Sequence, residues 1–294
     1  MTQPLRITTQ RISKSVENTL SECGIIFRIF SRQKSEESIK AKIEKNPEKY
    51  GDTKKIQDII GIRIALYFPD DIEIAKSILC KKFNYLPNDS TIDTPTDDTF
   101  SATRYNLILS LPPELSIKNS IESKYTSMVD ETFEVQIRTI LSEGWHEVEH
   151  DLRYKRLEDW RNLKKESRAL NGVYATIETC DWTLLKIFED VAYKHYKQSS
   201  WAAMIQNKFR LRFCSSDVSS EISSVLESDP DLAKSIYRTD RKKILESIIS
   251  KDSIPINADN VIFIANRLEQ NSESLKKLEP TFFTIWWSGN QAIE

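Results

Sequence analysis

The clearest structural signal in the chain is Phe133-Glu134-Val135-Gln136-Ile137-Arg138, along which apolar and polar side chains alternate without a break. Alternation with a period of two predicts a β-strand whose three apolar residues pack against a core. The opposite face then presents an acid, an amide and a cation in a row, Glu134, Gln136 and Arg138. Helical spacing predicts a helix directly afterwards, over residues 141–155. We therefore expect a strand that borders a polar site.

Two further segments alternate in the same way earlier in the chain. Residues 61–68 predict a strand with Arg63 on its polar side, and residues 104–110 predict another. A short helical turn at 54–60 leads into the first of these strands and carries Asp58. The polar sides of three strands can therefore contribute to one site.

Helical periodicity or turn-forming residues account for the rest of the chain. We expect helices over 9–31, over 35–45 with Ser35 as the N-cap, over 70–83 and over most of the chain after Lys155, and a loop over 85–99. The apolar, β-prone residues 281–287 are expected to form either a buried closing strand or an exposed docking segment.

Composition excludes several classes of protein. The 294 residues have a mean hydropathy of −0.47 and contain no apolar run near twenty residues, so we expect no membrane span and a cytoplasmic location. Four scattered cysteines without a CxxC pair argue against a zinc site and a disulfide framework. The 42 basic and 44 acidic residues indicate no strongly basic nucleic-acid surface. Glycine-rich phosphate loops are absent, so side chains must bind any phosphate.

Six polar side chains could converge on one site. They are Arg32, Lys34, Asp58, Arg63, Glu134 and Arg138. Two carboxylates flanked by cations match the needs of a magnesium–triphosphate site, because the acids bind the hard cation and the cations neutralise phosphate oxygens. Charged residues on one face of a strand are also often merely solvated, so the pattern alone leaves both interpretations open.

Five sequence blocks resemble the synthetase domain of the RelA/SpoT family, and they follow the family's order. They are Arg32-Gln33-Lys34-Ser35-x-x-Ser38-Ile39, Asp58-Ile59-Ile60-Gly61-Ile62-Arg63-Ile64, Asp70-Asp71-Ile72, Glu134-Val135-Gln136-Ile137-Arg138-Thr139 and Trp145-x-x-x-Glu149-His150-x-x-x-Tyr154-Lys155. The resemblance implies an α/β fold, a nucleotidyltransferase-like mixed sheet flanked by helices. We assign a synthetase domain with flanking helices to residues 1–197. The sequence pattern, not the resemblance, predicts a mostly helical C-terminal extension of unknown role over 198–294.

The same resemblance implies an activity. The protein would transfer the β,γ-pyrophosphate of ATP to the 3′-hydroxyl of GDP or GTP and so make (p)ppGpp. Asp58 and Glu134 would hold Mg²⁺, and Glu134 would also take the proton from the attacking hydroxyl. The resemblance assigns the ATP phosphates to Arg32, Lys34, Lys42 and Arg63. Arg138 would serve phosphate or form an ion pair with Glu134.

The acceptor side departs from the family pattern G-Y-x-S-x-H, whose tyrosine stacks on the guanine. The corresponding residues here are Thr99-Phe100-Ser101-Ala102-Thr103-Arg104. Phe100 keeps a ring for stacking without the hydroxyl, and Arg104 could contact an acceptor phosphate. We assign Phe100, Arg104 and Gln136 to the acceptor.

Three functions therefore stay open. The first is (p)ppGpp synthesis from ATP and GDP or GTP. In the second, a toxin-like enzyme of the family carries out the same transfer to the 3′ end of tRNA or to an adenosine nucleotide, with an antitoxin as a further partner. The third is a catalytically inactive nucleotide-binding regulatory module, although retention of Asp58 and Glu134 argues against it. A homo-oligomer is compatible with all three.

Overall fold

A computed structural model of the chain describes residues 3–45, 50, 54–93, 105–121, 123–251 and 254–289. Contacts between Cα atoms divide the chain into two compact units. The first, which we call the sheet unit, comprises Met1–Thr19 and Phe27–Trp182. The second, the helical unit, comprises Leu20–Ile26 and Thr183–Glu294.

The described strands of the sheet unit form one mixed sheet. They are β1 (Phe27–Gln33), β2 (Ile60–Leu66), β3 (Thr91–Ile92), β4 (Tyr105–Ser110) and β5 (Thr132–Thr139). Their order across the sheet is β1-β2-β5-β4-β3. β2 and β5 are parallel and the other neighbours are antiparallel. The α/β class with a mixed sheet is confirmed.

The strand register separates an apolar face from a polar one, because cross-strand partners point to the same side of a sheet. On the apolar face the fully buried residues Ile62, Val135 and Leu107 stand side by side. On the other face, Arg32, Gly61 and Glu134 form one row, and Arg63, Gln136 and Asn106 form the next. We call this second side the polar face; the alternation of β5 predicts it directly.

Along the chain, helices precede, connect and follow the strands. They are α1 (Gln3–Glu22), α2 (Glu36–Lys45), α3 (Asp71–Lys82), α4 (Ile140–Leu152), α5 (Leu157–Trp160) and α6 (Lys164–Lys197). The predicted cap of α2 is present, since Ser35 Oγ accepts a hydrogen bond from the Ser38 N–H at 3.2 Å. Thr139 caps α4 in the same manner and accepts the Ser142 N–H at 3.1 Å. The chain therefore passes from β5 into α4 without a loop.

Three local predictions are wrong. The helix expected over 9–31 ends at Glu22, because Gly24 takes a left-handed conformation with φ +72°, and the chain then enters β1. Residues 54–60 form no helical turn; Ile56 makes a β-bridge to Val129 instead. The loop expected over 85–99 contains the short strand β3.

The helical unit is built from short helices. They are α7 (Trp201–Phe209), α8 (Ser220–Ser228), α9 (Pro230–Arg238), α10 (Arg241–Ile249), α11 (Ala258–Leu268), α12 (Glu273–Lys276) and α13 (Thr281–Ser288). Most of α11 is buried, as expected of a central helix. Residues 281–287, for which we expected either a buried closing strand or an exposed docking segment, lie in a helix, α13; its Phe283 is buried and packs on the Phe263 ring at 5.3 Å. None of the described helices combines the length and apolar character needed to cross a membrane.

Candidate functional site

Strand directions bring three predicted site residues to one end of the sheet. β1 and β2 are antiparallel, so the residue after β1 lies beside those before β2, and the Lys34 N–H donates to the Ile59 carbonyl at 2.8 Å. β5 is parallel to β2 and begins at the same end, with Glu134 opposite Gly61. Lys34, Asp58 and Glu134 therefore occupy the same end of the sheet unit.

Asp58 lies between two ammonium groups, and we call these three residues the Asp58 cluster. Lys34 Nζ donates to Oδ2 at 2.5 Å, and Lys42 Nζ, from α2, lies 3.0 Å from Oδ1 and 3.1 Å from Oδ2. Burial opposes ionisation of Asp58, but the two ammonium groups outweigh it and lower the pKa of the carboxyl. Burial and the neighbouring Lys42 lower the pKa of Lys34. The cluster carries one more positive than negative charge.

Glu134 has a different environment. Its carboxylate accepts hydrogen bonds from Gln136 Nε2 at 3.0 Å and from Asn106 Nδ2 at 3.3 Å. Burial raises its pKa, and the negative charge of Asp58 raises it further, against the opposing charges of Arg32 and Lys34. The two acids therefore influence each other electrostatically, and Glu134 is the better proton acceptor of the pair.

Further along the polar face, two arginines share two glutamates in what we call the arginine cluster. Glu143 of α4 contacts Arg63 Nη1 at 3.2 Å and Arg138 Nη1 at 2.9 Å, and Glu147 also pairs with Arg63. The ion pair considered between Arg138 and Glu134 is not found among the described residues; Arg138 pairs with Glu143. Glu143 is buried, whereas the side chain of Glu147 is 49% exposed.

The sequence prediction missed Glu143, Glu147 and Asn106 as site residues. Glu143 and Glu147 are four residues apart, on one side of the helix that follows β5, and this spacing was the available signal. Asn106 stands on the polar side of β4, opposite Gln136. Its alternation with apolar neighbours placed it on that side, although nothing in the sequence linked it to Glu134.

A cavity of about 420 Å³ opens on the polar face beside the arginine cluster. Its walls include Arg32, Arg63, Asn106, Gln136, Arg138, His146, His150, Arg153 and Tyr154. Four buried atoms in these walls lack a hydrogen-bond partner among the described residues, namely Arg63 Nε, Arg138 Nε, Asn106 Oδ1 and His146 Nε2. Buried polar atoms are ordinarily paired, so this concentration indicates a ligand that supplies the missing partners.

Most predicted site residues meet in this region. Asp58, Lys34 and Lys42 are in direct contact, as are Glu134 and Gln136, while Arg32, Arg63 and Arg138 line the cavity. Two acceptor predictions, Phe100 and Arg104, lie outside the described residues. The chemical roles assigned to all of these residues stay predictions.

The number and type of oxygen ligands determine whether the site could hold the implied Mg²⁺. Within the described residues, no group of three or more His, Cys, Asp or Glu could hold a metal ion. A pair of carboxylates suffices for Mg²⁺ only when phosphate oxygens and water complete its octahedron, as at many nucleotide sites. Asp58 and Glu134 fit that limited role, because they are hard oxygen ligands whose mutual repulsion a divalent cation would relieve.

Comparison with known proteins finds a family for the region around the site. A family model described as the region found in RelA / SpoT proteins matches residues 31–159, which include the Asp58 cluster, Glu134 and the arginine cluster. These residues are therefore similar to that region, and the match covers less than half of the chain. None of the curated protein sequences matches the chain.

Several solved structures are similar to this chain, and one of them reaches a TM-score of 0.50. Small alarmone synthetase 1 from Bacillus subtilis bound to its product pppGpp is 23% identical with a TM-score of 0.50, and the match covers 65% of this chain and 95% of that one. Another structure of that synthetase is 24% identical with a TM-score of 0.47, covering 63% and 92%. A GTP pyrophosphokinase family protein from Streptococcus pneumoniae is 20% identical with a TM-score of 0.47, covering 65% and 96%.

Proposed function

We propose that this protein is a pyrophosphokinase that transfers the β,γ-pyrophosphate of ATP to the 3′-hydroxyl of GDP or GTP, giving (p)ppGpp. The observation that carries the proposal is the pair Asp58 and Glu134, which interact electrostatically at one end of a sheet whose polar face also has a cavity lined by arginines. Residues 31–159, which match the RelA / SpoT region, include both acids. The product pppGpp in the structure of small alarmone synthetase 1 supports guanosine nucleotides as the acceptor class. In this proposal the enzyme acts in the cytoplasm.

In the transfer, the acceptor 3′-oxygen forms a bond to the β-phosphorus of ATP. The bond from that phosphorus to the oxygen bridging the α-phosphorus breaks, and AMP leaves. Glu134 takes the proton of the attacking hydroxyl, for which its raised pKa suits it. Glu134 and Asp58 would hold Mg²⁺, which supplies charge neutralisation for the triphosphate. No covalent intermediate with the protein is needed.

The cations have a physical reason to engage ATP. Lys34 and Lys42 both contact one carboxylate, so the Asp58 cluster has a surplus positive charge for a phosphate. Arg32, Arg63 and Arg138 add guanidinium groups along the cavity. Gln136 lines the cavity and fixes Glu134, whereas acceptor contacts by Phe100 and Arg104 remain part of the proposal.

A second candidate keeps this chemistry and changes the acceptor to an adenosine nucleotide or the 3′ end of tRNA. The observation that favours it is the departure of residues 99–104 from the family's guanine-binding pattern. A toxin of this kind would need an antitoxin, and either enzyme could work as a homo-oligomer.

Product analysis separates these functions. The full chain is incubated with Mg²⁺, ATP labelled in its β,γ-phosphates, and GDP, GTP, AMP, ADP or bulk tRNA in turn, with Glu134→Gln as the inactive control. Labelled product with GDP or GTP is expected. Label transferred to AMP, ADP or tRNA alone would replace guanosine nucleotides as the acceptor. Absence of transfer to every acceptor would refute a pyrophosphokinase of this kind.

A further inference from the structure

The sheet unit has a second cavity, of about 320 Å³, that the proposed reaction does not use. It is formed by the residues that lead into α3, by the end of β5 and by the middle of α6. Its walls contain four acids, Asp70, Glu73, Glu178 and Asp181, and three aromatic residues, Tyr105, Tyr174 and Trp182. We call it the acidic cavity.

Asp181 is the feature that points to a ligand. It is 5% exposed and lines the acidic cavity. Its Oδ2 accepts the Thr139 hydroxyl at 2.6 Å, but its Oδ1 is buried without a hydrogen-bond partner among the described residues. The hydrogen bond to Oδ2 holds Thr139, the N-cap of α4, in place. This structural role accounts for one oxygen of the carboxylate and gives no reason for the burial of Oδ1. A buried carboxylate oxygen without a donor is unfavourable unless something supplies one.

Charge defines what could supply it. Against the four acids, the cavity walls contain one cation, Arg138, which is already paired with Glu143 at 2.9 Å. Glu73 accepts the Tyr105 hydroxyl and lies 3.5 Å from Lys76. The cavity is therefore electronegative and has spare acceptor capacity at Asp181, so it favours a cation that can donate hydrogen bonds.

The remaining walls distinguish an organic cation from a metal ion. Among the described residues, including the four acids of this cavity, no group of three or more metal-ligating side chains is found. Trp182, Tyr174, Ile72 and Pro69 give the cavity apolar walls against which a hydrocarbon chain can pack. Aromatic faces also attract ammonium groups. Acids and rings that share one cavity suit a cation with an aliphatic chain.

We propose that the acidic cavity binds an aliphatic amine, such as a diamine or polyamine, with one ammonium group donating to Asp181 Oδ1. Its methylene groups pack against Trp182, and a second ammonium group lies near Glu178 or Glu73. The site is independent of the pyrophosphokinase proposal, because it requires no nucleotide.

Calorimetric titration of the full chain with spermidine, without nucleotide, tests the proposal. Asp181→Asn should weaken spermidine binding by about tenfold or more, since it removes the buried charge and keeps the shape. Glu178→Gln and Trp182→Ala, at less buried positions that should not disturb folding, should each weaken it by roughly threefold to tenfold. Asp159→Asn is the matched control, because this exposed aspartate lies outside the cavity walls.

Three outcomes would overturn the proposal. The first is no heat of binding for the wild type at millimolar spermidine. The second is equal affinity in all four variants, which would mean diffuse attraction to surface acids. The third is complete displacement of spermidine by an equal concentration of Mg²⁺, which would indicate a simple charge effect. Thermal melting of each variant shows whether it is folded. If Asp181→Asn does not fold, the spermidine affinities of Glu178→Gln and Trp182→Ala test the proposal.

Discussion

The two ion clusters of the polar face are built in opposite ways. In the Asp58 cluster, one carboxylate faces the ammonium groups of Lys34 and Lys42, so positive charge is in excess. In the arginine cluster, Arg63 and Arg138 meet two glutamates, so charges balance. The first cluster can attract a polyanion as it stands. In the second, the glutamates occupy Nη1 of both arginines, so a phosphate competes with them there, while Arg63 Nε and Arg138 Nε lack a partner among the described residues.

This difference assigns distinct tasks to the clusters under the proposed function. The Asp58 cluster would attract and neutralise the triphosphate, while the arginine cluster would hold its guanidinium groups oriented until substrate arrives. Glu134 lies in the row next to that of Arg63, and it is the acid whose pKa burial raises. Chemistry would therefore depend most on Glu134, binding on the lysines, and orientation on Glu143.

Replacing Glu134 should have the largest effect. Glu134→Gln keeps the size of the side chain and removes both the proton acceptor and a ligand charge, so kcat should fall by roughly 10²- to 10⁴-fold. The KM for ATP should change much less. Steady-state rates of labelled product formation measure both values. A variant that keeps more than half of the wild-type kcat would contradict the role of Glu134.

Removing one lysine from the Asp58 cluster tests the surplus charge. Lys42→Met keeps the aliphatic stem, and Asp58 retains Lys34, so the KM for ATP should rise about tenfold with a smaller change in kcat. Lys40→Met on the same helix is the matched control, because Lys40 is exposed and pairs only weakly with Glu44 at 3.7 Å. Equal KM values for the two variants would show that the surplus charge does not bind ATP.

The two glutamates of the arginine cluster should respond differently. Glu147→Gln removes a half-exposed competitor of phosphate from Arg63, so the KM for ATP should fall about threefold. Glu143→Gln leaves two partly buried guanidinium groups without their shared partner, although Arg63 keeps Glu147, so the free energy of unfolding should drop by about 1 to 2 kcal/mol. Urea titration and ATP saturation curves measure these effects. A higher KM for Glu147→Gln would contradict the idea of competition.

The pKa of His146 is sensitive to the positive charges of the arginine cluster. Burial, and then the charges of Arg138 and Arg63, lower its pKa from 6.5 to about 3. Above pH 6.5 the group is neutral in both states; as pH falls toward 3, the unfolded chain binds a proton that the folded chain does not. The contribution of neutral His146 to the free energy of unfolding is therefore fully present above pH 6.5. Below pH 6.5 this contribution is lost by about 1.4 kcal/mol per pH unit, the slope for one proton.

The check is urea unfolding of His146→Phe and wild type between pH 7.5 and 4.5. Below pH 6.5, the stability of the variant should fall less steeply than that of the wild type, by the slope of one proton. The difference between the two proteins at pH 7.5 measures packing alone. Parallel stability curves over the whole range would show that His146 does not titrate as proposed.

The sequence alone predicts the parts of the site that follow from local periodicity. The alternation in β5 placed Glu134, Gln136 and Arg138 on one face, and the block 58–64 supplied Asp58 before β2 and Arg63 within it. It failed at β1, because Phe27 and Phe30 continue the helical spacing of α1. Only the left-handed Gly24 and the pairing of β1 with β2 override that spacing.

The remaining features depend on how separate elements pack. Glu143 and Glu147 reach Arg63 because α4 lies against the polar face, and no spacing within the sequence reveals how a helix is oriented over a sheet. The acidic cavity draws its walls from several distant segments, so its charge balance emerges only when they fold together. The polar contact of Asn106 with Glu134 depends in turn on strand register.

The most direct measurement is a double-mutant cycle of Asp58→Asn and Glu134→Gln, with single-turnover transfer from ATP as the readout. If both acids serve one divalent ion and one triphosphate, each single change disables the same unit. The double variant should then be within about threefold of the slower single variant. Rate losses that multiply, so that each substitution has its full effect in the presence of the other, would contradict a shared site.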